Sequence, residues 1–173
     1  PPGEVAILFL TGSQDGAADS TPCPVAPAVP FDSHIAGTGR GKAFTITTNR
    51  PVVAYDIYPY GGATSYVTSA TLLLPTSSWG SNYVAMDAYA GFQPFLQIVG
   101  VEDTTTVTIE PSADIQGGPG VAAAVAGQPV SYVVDAGEVL QLMQPERLAG
   151  SVVEADKPIG LWGGADCMNV PVG

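Results

Sequence analysis

The chain has 173 residues, enough for one domain with a buried core. Its net charge of −11 comes from 16 acids and only 5 bases, which argues against nucleic acid and anionic lipid as partners, since both are bound through Lys and Arg. Mean hydropathy is +0.25, yet no apolar run approaches the roughly 20 residues of a membrane helix, and 21 Gly with 16 Pro in no period exclude collagen.

In chain order, residues 4–10 (Glu-Val-Ala-Ile-Leu-Phe-Leu) read as a strand covered on both faces, because the apolar run is continuous. Residues 11–41 form a long Pro/Gly-rich loop carrying Cys23, and a loop of that length in a domain is usually functional or pinned. Residues 43–47 alternate Phe44 and Ile46 with threonines, the pattern of a half-buried strand. Further strands are expected at 52–58 and 65–74. A loop with Trp79 follows, then strands at 83–89, 95–101 and 105–109. In 83–89, Tyr83, Ala85, Asp87 and Tyr89 share one face. Residues 114–127 read as irregular or as a short strand, and 129–134 with 138–143 as a hairpin about Asp135-Ala-Gly137. The end of the chain reads as two short strands, 151–153 and 159–162, around an Ala-Asp-Lys-Pro turn, with Pro158 at a turn exit and Gly163-Gly164 supplying backbone freedom. Aligned on Pro51 and Pro158, residues 44–55 repeat that unit: aliphatic, two residues, Asn or Asp, Arg or Lys, Pro, aliphatic, two residues, aromatic.

The elements add up to an all-β chain: a β-sandwich-like, multi-sheet domain of about ten short strands with an internally repeated turn unit, spanning 1–173 as a single domain or as a fragment of a longer repeated one. A propeller-like arrangement is the alternative. Low charge and positive hydropathy also fit surface hidden in an assembly, and a well-filled β core explains them equally. The chain begins at Pro1, so a mature secreted chain and a trimmed fragment both fit.

Candidate chemistry is sparse. The single histidine, His34, has Asp32 and Ser33 beside it, but sequence neighbours point apart and a triad is assembled in space. Residues 35–43 resemble a phosphate loop superficially; Ala36 and Ala43 replace its Gly and Ser/Thr, and a strand follows, not a helix. Three of the five bases, Arg40, Lys42 and Arg50, form a small anion-site candidate against the plainer reading of a solvated edge. Glu102, Asp103, Glu138, Glu154 and Asp156 are carboxylates that no spacing selects as an acid–base pair, and Asp15 with Asp19 lack the spacing of a calcium loop. No catalytic residue, cofactor or metal ligand is expected. A Cys23–Cys167 disulfide would close a loop of over a hundred residues, worth about 4–5 kcal/mol on a chain-entropy argument; two free or separately paired thiols are the alternative. Trp162 is expected in the core at the end of an apolar strand, whereas Trp79 and Tyr60, beside loops, are the candidate partner contacts.

Three stretches carry a resemblance. Asp156-Lys-Pro-Ile-Gly-Leu-Trp-Gly-Gly-Ala-Asp-Cys-Met-Asn-Val-Pro171 is similar to the signature of the IgGFc-binding protein N-terminal domain family. So are Thr48-Asn-Arg-Pro-Val-Val-Ala-Tyr55 with 70–84 after it, and residues 99–111. The resemblance covers roughly residues 41–171. It implies a secreted or cell-surface, mostly bacterial, non-enzymatic domain for extracellular binding or adhesion, recognising protein or glycan. The different-class alternative is a structural subunit of a surface filament, sheath or layer, acting by self-association through a sheet edge completed by a neighbour.

Overall fold

The computed structural model describes residues 3–12, 23–31, 33–58, 69–87 and 92–165. The described elements are all β: β1 (Gly39–Lys42), β2 (Ala54–Tyr58), β3 (Ser69–Leu73), β4 (Gly80–Val84), β5 (Pro94–Gly100), β6 (Thr105–Glu110), β7 (Val130–Val134), β8 (Glu138–Met143) and β9 (Val152–Ala165), with one 3-10 turn at Thr76–Ser78. The strands form two sheets, one of seven strands and one of two. The chain divides into two compact units: residues 1–34 with 46–74, and residues 35–45 with 75–173.

The larger unit holds the seven-stranded sheet, ordered β1-β8-β5-β9-β6-β7, with β4 also paired to β9. Every pairing is antiparallel. Strict alternation gives the sheet two different faces. One is the core, built from Leu96 and Ile98, Leu140 and Leu142, Val107 and Ile109, Tyr132 and Val134, Val153 and Ile159. The irregular stretch between β6 and β7, braced by bridges Ile115↔Ala124 and Gly118↔Val121, drops Ile115 and Val121 into the same core. The other face carries Phe95, Gln97, Val99, Gln141, Met143 and Trp162, where burial is mostly partial.

Strand β9 organises the sheet. Its first half pairs with β6 through Val152–Ala155, and its second half pairs with β5 through Ile159–Ala165. The expected turn is therefore a hand-over inside a single 14-residue strand. Residues 156–158 pair with no strand in either ladder, so Pro158 sits where no amide hydrogen is called for. Side chains bridge the gap: Thr106 N–H donates to Asp156 Oδ1 at 2.8 Å, and Lys157 Nζ donates to the carbonyl of Asp103.

Other expectations are corrected. β7 and β8 are not a hairpin: β7 pairs with β6, and β8 with β5 and β1. Both strands put apolar residues into the one core, Tyr132 and Val134 from β7 and Leu140 and Leu142 from β8. The Asp135–Gly137 turn forms, with Glu138 N–H donating to Asp135 O at 3.0 Å, but it is pinned to Gly100 and not to a paired strand. A Cβ on Gly100 would lie 2.5 Å from Asp135 O, which fixes glycine there. Residues 43–47 form no strand; the strand is the Gly-rich stretch before them, because Ile35 folds back over Gly39 and Gly41, where a side chain would collide with it.

In the smaller unit β2 and β3 pair antiparallel from Ala54↔Leu73 to Tyr58↔Ser69. Residues 4–10 are no buried strand. Val5 is 87% exposed, and the segment's recorded pairing is a bridge from Thr11 to Val29 with hydrogen bonds from Ala28 and Val29 to Phe9 and Leu10. An apolar run predicts a covered strand only where a partner strand is supplied. The two Pro-centred units also differ in setting: Pro51 follows a bend and precedes β2, whereas Pro158 lies within β9.

Candidate functional site

The partly buried face of the seven-stranded sheet concentrates aromatic side chains along β9. Gly160, Trp162 and Gly164 alternate onto it. Trp162 meets Trp79 edge to face, ring centroids 5.2 Å apart and planes at 81°, the arrangement aromatic quadrupoles favour. Both rings lie over Gly160, where a Cβ would come within 2.5 Å of Trp162 and 2.8 Å of Trp79. The ring of Phe95 covers Gly164 in the same way. These glycines are needed for space and not for backbone freedom: Gly160, Gly163 and Gly164 are absent from the positive-φ residues. Trp79 reaches its place from the 3-10 turn, whose Ser78 and Trp79 N–H groups donate to Pro75 and Thr76 carbonyls.

An amide chain runs beside the rings. Gln97, directly opposite Trp162, donates from Nε2 to Gln141 Oε1 at 2.7 Å; Gln141 Nε2 in turn donates to the carbonyls of Ile35 and Gly37, each at 2.7 Å. Gln141 is buried, so its satisfied amide locks the neighbouring geometry. The corner thus sets two half-buried indole rings beside a hydrogen-bonded amide pair on one face of the sheet.

Trp162 is accordingly half-buried on this face and not in the core. Trp79, the sequence candidate, is brought to it. Tyr60 lies outside the described residues, as do Cys167, Asp32, Asp15 and Asp19. Cys23 is half-buried, near Gly12, and its expected pairing with Cys167 falls outside the described residues with Cys167. His34 is exposed in a segment without regular structure. Arg40 is engaged by Glu138 at 2.9 Å and by the carbonyls of Gly120 and Val133, a structural role and not a free anion site. Asp103, Asp135 and Asp156 accept backbone N–H groups at turns and at the β9 hand-over. Among the described residues no cluster of three metal-ligating side chains occurs, and no helix is long and apolar enough to cross a membrane.

A family model described as "IgGFc binding protein" matches residues 69–173, more than half of the chain. The chain belongs to the IgGFc-binding protein family. The matched span runs from β3 to the end of the chain and includes both tryptophans, Gln97, Gln141 and all of β9. The earlier Pro51 unit lies outside it. No curated protein and no solved structure matches the chain. Sequence reasoning missed Gln97 and Gln141, because an isolated glutamine in an apolar strand reads as a polar residue facing water.

Proposed function

We propose that the chain is a non-catalytic extracellular binding module that contacts a protein or glycan partner through the Trp79–Trp162 corner. The family supports binding as the activity and a protein as the first partner to test, with an immunoglobulin Fc fragment the candidate its name supplies. The observation that carries the site is the pair of indoles seated on Gly160 within the family-matched span. Tryptophans on a preorganised surface are the residues that most often dominate protein contacts, and their faces stack on sugars equally well. Screening the chain on protein and glycan arrays that include Fc should yield a ligand. Trp79→Ala and Trp162→Ala should each weaken that ligand by at least about tenfold while the cooperative thermal transition persists. Wild-type affinity in both folded variants would move the site elsewhere.

A further inference from the structure

The two-stranded sheet of the smaller unit is amphipathic in an unusual sense. Its pairing places Tyr55 opposite Leu72 and Ile57 opposite Ala70 on one face. By strand alternation Val53 and Leu74, at the ends of the same pair, continue that face. All six residues are apolar and all are exposed. Val53 is 74% exposed, Tyr55 60% and Leu74 58%. The opposite face carries Asp56, Tyr58, Ser69 and Thr71, with Ala54 and Leu73 partly buried.

We propose that this apolar face is a self-association surface that packs against the same face of a second copy. Two properties select that occupant. First, the face holds no charged residue, in a chain of net charge −11. It offers nothing to a basic partner, which the chain's net charge attracts, and whatever packs on it must itself be apolar. A second copy supplies an apolar face of matching width and identical chemistry, and an isologous two-fold pair needs no other partner. Second, the area suffices for a weak dimer. Tyr55 is an aromatic of about 150–250 Å², and it and the four aliphatic residues beside it are each 47% to 74% exposed, a face of the size that forms weak contacts below about 1,200 Å² in total. Packing also supplies what a two-stranded sheet lacks, since such a sheet alone is marginal in water, and two apolar faces stack as in a sandwich.

The charge fixes a signature. Copies of charge −11 repel at long range, and salt screens that repulsion over about 10 Å at 0.1 M. Dimerisation through a neutral face therefore strengthens as salt rises, whereas capture of a basic partner weakens.

Sedimentation velocity on the full chain over a dilution series, at low and high salt, tests this. The expected result is a concentration-dependent dimer, stronger at high salt. Leu72→Glu should weaken it at least about tenfold by setting a charge in the apolar contact. Thr71→Glu, exposed on the other face, should leave it unchanged. A monomer at every concentration and salt, a dimer indifferent to Leu72→Glu, or equal loss with Thr71→Glu would overturn the proposal. The tryptophan corner is not involved, so failure here and failure of the ligand screen are separate results.

Discussion

Tyr132 shows how one residue couples the core to solution conditions. Its side chain is buried in β7, and its hydroxyl donates to Ala122 O at 2.8 Å, tying the irregular stretch to the sheet. Burial pushes the phenol above its ordinary value of 10.0, with the Arg40 charge pulling partly back. Below that value both folded and unfolded chains keep the proton, and the contribution to stability is fully present. As pH rises through 10.0 the unfolded chain ionises first, so stability is lost on the alkaline side. Tyr132→Phe should cost about 1 kcal/mol near pH 8, the worth of one hydrogen bond. Above pH 10 it should fall less steeply than the parent in a denaturant series. Parallel alkaline limbs would show that another group is responsible. The remaining tyrosines are common to both chains and cancel in the comparison.

At the scale of the element, β9 makes a sharper claim about proline. Because residues 156–158 pair with no strand, Pro158→Ala should change stability by no more than about 0.5 kcal/mol. Leu161→Pro, by contrast, places a ring in the ladder opposite Ile98 and should cost at least about 3 kcal/mol. Thermal melts of the two variants decide it, and a large loss with Pro158→Ala would mean that the hand-over depends on the fixed φ of proline. The same element shows what was legible in the sequence. The alternation of 105–109 identifies a strand and its faces correctly, because it needs only its own residues. In the expected strand 83–89 the inward face of Tyr83, Ala85 and Asp87 is right, but the strand itself is Gly80–Val84 and ends before Ala85. The Asp-Lys-Pro stretch reads as a turn because Pro is a turn residue locally; that β9 continues through it depends on β6 and β5 lying end to end along it, which no local pattern encodes. The proposed tryptophan corner is half legible for the same reason. Trp79 stands out by type and by its loop, while the roles of Gly160 and Gly164 appear only once the rings above them are placed.

The arrangement of the larger unit's sheet as a whole turns on how its two ends meet. Among the described strands, pairing runs from β1 at one end to β7 at the other, and no ladder joins the two. Arg40 spans the interval from β1: Nη1 donates to Val133 O of β7, Nε donates to Gly120 O of the irregular stretch, each at 2.8 Å, and Nη1 lies 2.9 Å from Glu138 Oε2 of β8. Gln144 reinforces the same region from the core side, donating to Thr38 Oγ1 at 3.0 Å and accepting from Gln116 N–H at 2.8 Å. A side-chain seam thus does for β1 and β7 what strand pairing does elsewhere. Three bases within eleven residues drew attention to Arg40 in the sequence; its partners lie 80 to 98 positions away, since Glu138, Gly120 and Val133 meet it only after the chain has folded. Arg40→Met keeps the apolar stem and removes the donors, leaving two carbonyls and a carboxylate without their partner. It should cost about 2 kcal/mol, the range for hydrogen bonds to a charged group, whereas Lys42→Met at an exposed position of the same strand should stay within about 0.5 kcal/mol. Hydrogen exchange should quicken in 115–124 and β7 before it does in β9, because loss of the seam frees the sheet's end and not its centre. Equal melting of the two variants, or exchange that rises uniformly over the sheet, would show that the irregular stretch closes the seam without the guanidinium.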